Sequence, residues 1–94
     1  MIENLDIKHD VDKHLFFVKV KGGNAELKYD RHKSDYLDFK ETFVPSASRE
    51  RGVGSALVKH ALQFAKQSGL KVKPSCPFVA DFIEDHPEYQ DIKY

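Results

Sequence analysis

The stretch Phe39-Lys40-Glu41-Thr42-Phe43-Val44-Pro45-Ser46-Ala47-Ser48-Arg49-Glu50-Arg51-Gly52-Val53-Gly54-Ser55-Ala56-Leu57 decides the fold of this 94-residue chain. Its first six residues read as a strand, which Pro45 ends because proline has no N–H for a sheet ladder. Ser46 or Ser48 can cap the helix that follows. Gly52-Val53-Gly54 is a tight turn, and from Arg51 the residues Val53, Ala56, Leu57, Ala61, Phe64 and Ala65 recur at helical spacing as far as Ser68. A strand, a glycine turn and a helix start in that order aim several unpaired backbone N–H groups and the positive end of a helix dipole at one point. Such a point suits a phosphate or pyrophosphate.

Upstream, the pattern predicts a meander. Leu5 to Lys8 and His14 to Val20 look like strands joined by the polar Asp10-Val11-Asp12-Lys13, the second with Phe16, Val18 and Val20 on one face. Lys21-Gly22-Gly23-Asn24 is a turn, and Ala25 to Arg31 alternates Ala25, Leu27 and Tyr29 against Glu26, Lys28 and Asp30. Tyr36 to Val44 is a fourth strand with Leu37, Phe39, Glu41 and Phe43 on one face, so an acid sits on an apolar face. Downstream, Gly69 stops the helix, Leu70 to Lys73 is a short fifth strand, and Pro74 breaks it. Cys76-Pro77 opens a second helix to about Asp85, with Phe78, Val79, Phe82 and Ile83 as its apolar side and His86-Pro87 as its stop. The expected architecture is α+β: a sheet of about five strands with two main helices, as one domain over residues 1–94. The phenylalanines 16, 17, 39, 43, 64, 78 and 82 are core by periodicity, with Phe78 a candidate to line the site.

Composition excludes several functions. Fifteen basic residues balance 15 acidic ones, which argues against a nucleic-acid binder held by bulk charge. The longest apolar run, Leu15-Phe16-Phe17-Val18, is too short to span a bilayer, and no signal-peptide core is visible at the N-terminus. A cytoplasmic protein without a membrane partner is expected. The single cysteine, Cys76, forms no intramolecular disulfide and fits a reducing compartment. The histidines at 9, 14, 32, 60 and 86 lack metal-ligand spacing, so no metal is expected. His86, before Pro87, reads as a helix-terminal residue.

The glycine turn is neither of its common look-alikes. A nucleotide-triphosphatase loop needs four residues between its glycines, then lysine and a hydroxyl residue; this chain has Gly52-Val53-Gly54-Ser55. A dinucleotide fingerprint needs a third glycine inside an early βαβ unit, whereas an antiparallel meander comes first here. The run Arg49-Glu50-Arg51-Gly52-Val53-Gly54 instead resembles the Gln/Arg-x-x-Gly-x-Gly/Ala signature of the GNAT superfamily of acyl-CoA-dependent N-acetyltransferases. A closer resemblance is to its very short, single-domain members. These share Val44-Pro45, Arg51-Gly52-Val53-Gly54, Pro74-Ser75-Cys76-Pro77-Phe78-Val79 and a downstream His86-Pro87. The likeness covers residues 5 to 90.

The resemblance implies a GNAT-like mixed sheet whose fourth and fifth strands splay apart, with acetyl-CoA as acyl donor. Arg51 through Ala56 would cradle its pyrophosphate: Gly52, Val53, Gly54, Ser55 and Ala56 by backbone, and Arg49 or Arg51 by charge. Thr42, Phe43 and Val44 would pair with the pantetheine arm, leaving the thioester near Cys76. Cys76 itself is either a small buried hydrophobe or, at a helix N-terminus that favours thiolate, a group beside the coenzyme thiol that takes the acyl group or forms a mixed disulfide. Glu41 is either paired with a base such as Lys71 or Lys73, or a proton acceptor for the incoming amine. Larger relatives often use a tyrosine on the last helix as proton donor; here Phe78 and Phe82 occupy that helix and Tyr89 lies beyond it. The acceptor side is open, which fits a protein, a peptide or a small amine, while a coenzyme A binder or thiol sensor without enzymatic activity is the alternative.

Overall fold

The computed structural model describes residues 5–32, 35–49 and 52–94. Five strands, β1 (Lys8–Asp10), β2 (Leu15–Val20), β3 (Gly23–His32), β4 (Tyr36–Phe43) and β5 (Lys71–Pro74), lie in one sheet in chain order. The first four form an antiparallel meander, and β5 joins β4 in parallel. Helix α1 (Val53–Gln67) makes the crossover between β4 and β5, and α2 (Pro77–Asp85) follows β5. Single 3₁₀ segments occupy Ser46–Ser48 and Pro87–Ile92. Among the described residues, no helix is long and apolar enough to cross a membrane.

The alternation read from β2 and β3 is the alternation observed. Phe16 and Val18 lie opposite Leu27 and Ala25, and all four are buried. With Leu37, Phe39 and Val72 they form a sheet face covered by Leu57, Val58, Ala61, Leu62 and Ala65 of α1 and by Val79 and Ile83 of α2. The first strand differs from expectation. It is Lys8–Asp10 rather than Leu5 to Lys8, because the hairpin turns later, through His14 at φ 55°, and places His9 opposite Phe16. His9 then packs into the core's edge. Its ring stacks on Phe16 at 4.0 Å and meets the edge of Phe64 at 4.6 Å, with Nε2 2.6 Å from the Tyr29 hydroxyl.

The larger correction concerns β4. A bulge between Lys28 and Tyr29 of β3 and the facing strand pairs Lys28 with Glu41 but Tyr29 with Phe39, leaving Lys40 as the extra residue. One inserted residue reverses the side-chain alternation beyond it. Thr42 therefore shares the inner face with Leu27, while Glu41 and Phe43 lie on the exposed outer face. Glu41 is thus neither on the apolar face nor beside Lys71 or Lys73, which pair with Tyr36 and Asp38. Phe43, at 47 % exposure, and Phe78, at 42 %, are not core residues, and Phe17 and Phe64 are only half-buried.

On the outer face Asp38 is buried, with Lys40 Nζ at 3.0 Å. Burial alone would raise its pKa, but the polar side chain of Ser75 and the ammonium groups of Lys40 and Lys73 outweigh that and hold the carboxyl below its usual range.

Candidate functional site

The β4–β5 ladder ends early. Its four pairs run from Tyr36–Lys71 to Phe39–Pro74, after which the chain turns away and α2 begins. Pro74 has no N–H to continue the ladder, and the next available donor, the Cys76 N–H, returns to the Phe39 carbonyl at 2.9 Å. The second half of β4 therefore pairs with β3 alone and shows its other edge to a gap. The expected splay of these two strands is present.

Helix α1 opens onto the same gap. Its N-cap is Gly52, in the left-handed region at φ 77°, a conformation that costs other residues roughly 1–2 kcal/mol. Neither Ser46 nor Ser48 caps the helix: its N-cap is Gly52, which has no side chain, and Ser48 instead donates its hydroxyl to the Lys21 carbonyl at 2.8 Å. The first helical bond is Ala56 N–H to Gly52 O at 3.0 Å, so the N–H groups of Val53, Gly54 and Ser55 have no partner within the helix. Space above Gly52 is open, since a Cβ there would meet nothing within 4 Å. Gly54 is closely covered, because a Cβ would come within 3.0 Å of the Phe78 ring and 3.6 Å of Val44. The exposed Arg49 donates its Nε–H to the Val44 carbonyl at 3.0 Å, fixing the guanidinium between the end of β4 and the helix start.

These elements enclose a cleft of about 420 Å³ lined by Thr42, Phe43, Val44, Ser48, Arg49, Gly52, Val53, Gly54, Ser55 and Phe78. Nine of the residues singled out in the sequence thus meet in one cavity. Ala56 lies beyond its edge and Glu41 on the opposite sheet face. Arg51, the other candidate cation, falls outside the described residues. Cys76 is buried at 6 % exposure behind the cleft as the N-cap of α2, its Sγ 3.5 Å from Thr42 Oγ1. Ser48 was missed as a lining residue; a serine between Pro45 and the helix reads equally well as a cap. The hydroxyl of Tyr89 is bonded to Gln63 Nε2 at 2.8 Å and does not line the cleft. Among the described residues, no group of histidine, cysteine and acidic side chains could hold a metal.

A helix start whose first N–H groups have no partner within the helix, beside the open edge of a splayed parallel strand pair, coincides with a family match over residues 15–92, to the model of GCN5-related N-acetyltransferases. The chain belongs to this family. The family's description is that of an N-acetyltransferase. Among the relatives, Protein NATD1 of Gallus gallus is 28 % identical over 92 residues, covering 96 % of this chain and 84 % of that protein. Protein NATD1 of Homo sapiens is 30 % identical over 83 residues, covering 86 % and 74 %. The solution structure of a GCN5-like protein of Staphylococcus aureus, described as a candidate N-acetyltransferase, superposes with a TM-score of 0.75 at 26 % identity, covering 99 % of this chain and 91 % of that one. The GNAT fold expected from the signature is therefore the fold found.

Proposed function

We propose that this chain binds acetyl-CoA in the cleft between β4 and α1 and transfers its acetyl group to an amine. The observation that carries the reading is the convergence, in one cleft, of three helix N–H groups unused within α1, the Arg49 guanidinium and the free edge of β4. The fit is chemical as well as spatial. The N–H groups of Val53, Gly54 and Ser55 donate to the pyrophosphate, the open surface above Gly52 admits it, and Arg49 adds a charge-assisted contact. Thr42, Phe43 and Val44 offer backbone groups to the pantetheine arm, while Phe78 and Val53 give it an apolar wall. The coenzyme supplies an activated acyl carbon. Backbone N–H groups on the free edge of β4 polarise the acyl oxygen, and the exposed sheet face beyond leaves room for an amine carried by a peptide or a small molecule. The lone thiol suits a reducing, cytoplasmic setting.

A second reading has its own support. Among the described residues, the cleft lining holds no carboxylate, histidine or tyrosine to move a proton, and Glu41 faces away. A coenzyme A binder without acceptor chemistry fits that lining; a thiol sensor would use Cys76, which lies buried behind it. Titration of the protein with coenzyme A and acetyl-CoA, followed by NMR, should perturb the amides of Val53 to Ser55 and Thr42 to Val44. Thiol release is then measured over a panel of amines and peptides. Acceptor-dependent release supports the transferase; binding without it supports the second reading; no binding removes both. Intact-mass analysis of the wild type and Cys76→Ala after incubation with acetyl-CoA tests transient acylation of the thiol, which predicts an adduct in the wild type alone.

A further inference from the structure

The loop between β4 and α1 carries Arg49 and leads into the helix start, so where the loop stands decides where an anion sits. Within itself the loop is a closed turn. The Ser48 N–H bonds to Pro45 O at 2.9 Å, the Arg49 N–H to Ser46 O at 3.3 Å, and the Arg49 side chain to Val44 O. None of these bonds fixes the turn against another part of the molecule. The β2–β3 hairpin supplies that contact. Its ladder closes at Val20–Gly23, leaving Lys21 and Gly22 as a two-residue turn, and the Lys21 carbonyl accepts the Ser48 hydroxyl at 2.8 Å. Beside that bond Gly22, at φ 93°, comes so close to the loop that a Cβ would stand 3.1 Å from Ala47 Cβ and 3.2 Å from Pro45 Cβ. Both atoms are attached directly to main chain, so neither can swing aside. Ser48 lines the cleft and is buried, yet its proton is committed away from the cleft, to the hairpin. A buried hydroxyl used in this way holds backbone.

We infer that the Lys21–Gly22 turn is a strut for the anion-binding loop, and that Ser48 is a positioning residue for the phosphates of the donor. The inference rests on the reading of the cleft as the acetyl-CoA site. It makes a hairpin turn that lines no part of the cleft a determinant of affinity. The physical basis is preorganisation. With the strut in contact, the loop already stands in its binding position; without it the loop samples other positions, and part of the ligand's binding energy is consumed in restoring the competent one. The loss is bounded by what the contact itself contributes, about fivefold in an equilibrium constant for one ordinary hydrogen bond. Arg49 and the helix start serve the phosphates, whereas Thr42 to Val44 belong to β4. The loss therefore falls on ligands that carry phosphate.

The test is a set of dissociation constants for coenzyme A and for pantetheine, which lacks the phosphates. They are measured by NMR titration on the wild type, Ser48→Ala and Gly22→Ala, at a temperature where each protein is folded. Ser48→Ala removes the bond from the loop side. Gly22→Ala leaves every cleft-lining side chain in place and pushes the loop from behind, so either variant answers the question if the other does not fold. Each should bind coenzyme A about fivefold more weakly than the wild type, while pantetheine binds all three proteins alike, within about twofold. A merely structural contact would lower the urea midpoints and leave the constants of the folded proteins unchanged. Unaltered coenzyme A affinity in a folded variant would therefore overturn the inference and leave the donor site standing. An equal fall for pantetheine would overturn it too, since the whole cleft would then have deformed. If the wild type binds neither ligand, the reading of the site fails and the inference with it.

Discussion

The two halves of β4 make a natural comparison. From Tyr36 to Phe39 the strand is paired on both sides, to β3 and to β5, and Leu37, Asp38 and Phe39 are all buried. From Lys40 to Phe43 it is paired on one side only, its alternation is reversed by the bulge, and Phe43 is largely exposed. The same strand thus serves first as the centre of a core and then as the rim of a cleft. The change is produced by a one-residue insertion and a neighbouring strand that stops at a proline. Stability should reside in the first half, and ligand affinity in the second.

The sharpest way to break this division is Phe39→Ala. Truncating a fully buried phenylalanine costs about 3–5 kcal/mol, so denaturant unfolding should show a large loss, with acetyl-CoA affinity falling only through the unfolded fraction. Gly54→Ala probes the other half. The new methyl pushes the Phe78 ring toward the cleft, and the ring is exposed and free to yield. Stability should change by less than about 1 kcal/mol, while acetyl-CoA affinity drops by about tenfold in calorimetry. A Gly54→Ala protein that lost stability but kept affinity would contradict the separation.

Acid should also act on the first half. The Asp38 carboxyl titrates below its usual value in the folded state, so the unfolded chain takes up the proton first as pH falls. Its contribution is complete above the ordinary carboxylate range and is lost as pH drops through the folded value. Urea midpoints measured between pH 5 and pH 2 should fall more steeply for the wild type than for Asp38→Asn. The smallest effect is expected at Glu41, which is exposed opposite Lys28. Glu41→Gln should alter stability by less than about 0.5 kcal/mol and leave acetyl-CoA affinity unchanged. A fall in turnover in that variant alone would instead restore Glu41 as a proton acceptor working from the outer face.

The sequence made most of this plan legible, for reasons visible in particular residues. Alternation in Phe16 to Val20 and Ala25 to Tyr29 is strict because one sheet face is covered and the other is wet. The spacing from Val53 to Ala65 has one helical solution, and Gly52-Val53-Gly54 marks where the helix must start. The bulge at Lys40 was not legible. Leu37, Phe39, Glu41 and Phe43 continue a perfect two-residue period, and nothing in that run shows that the register changes under it. Bulges are set by the partner strand and by tertiary packing, which no local pattern records. For the same reason the cleft was found through its glycines and aromatics, whereas Ser48 and the Thr42–Cys76 contact emerge only when loop and strand are brought together.

The edges of the sheet carry one more consequence. Beyond β5, the Tyr94 N–H donates to the Val72 carbonyl at 2.8 Å, Lys93 bridges Val72, and the Tyr94 ring stacks on Tyr36 at 3.9 Å. That margin is closed to a passing polypeptide. The opposite margin, β1, is only three residues long and carries Lys8 and Asp10, both poor recruits for another strand. The adhesive length of backbone lies instead inside the molecule, on the last residues of β4, between Phe78 and the start of α1. On the proposed function, a bound donor would do for that edge what Lys93 and Tyr94 do for β5, so loading the cleft should also protect the protein against self-association when it is concentrated or warmed.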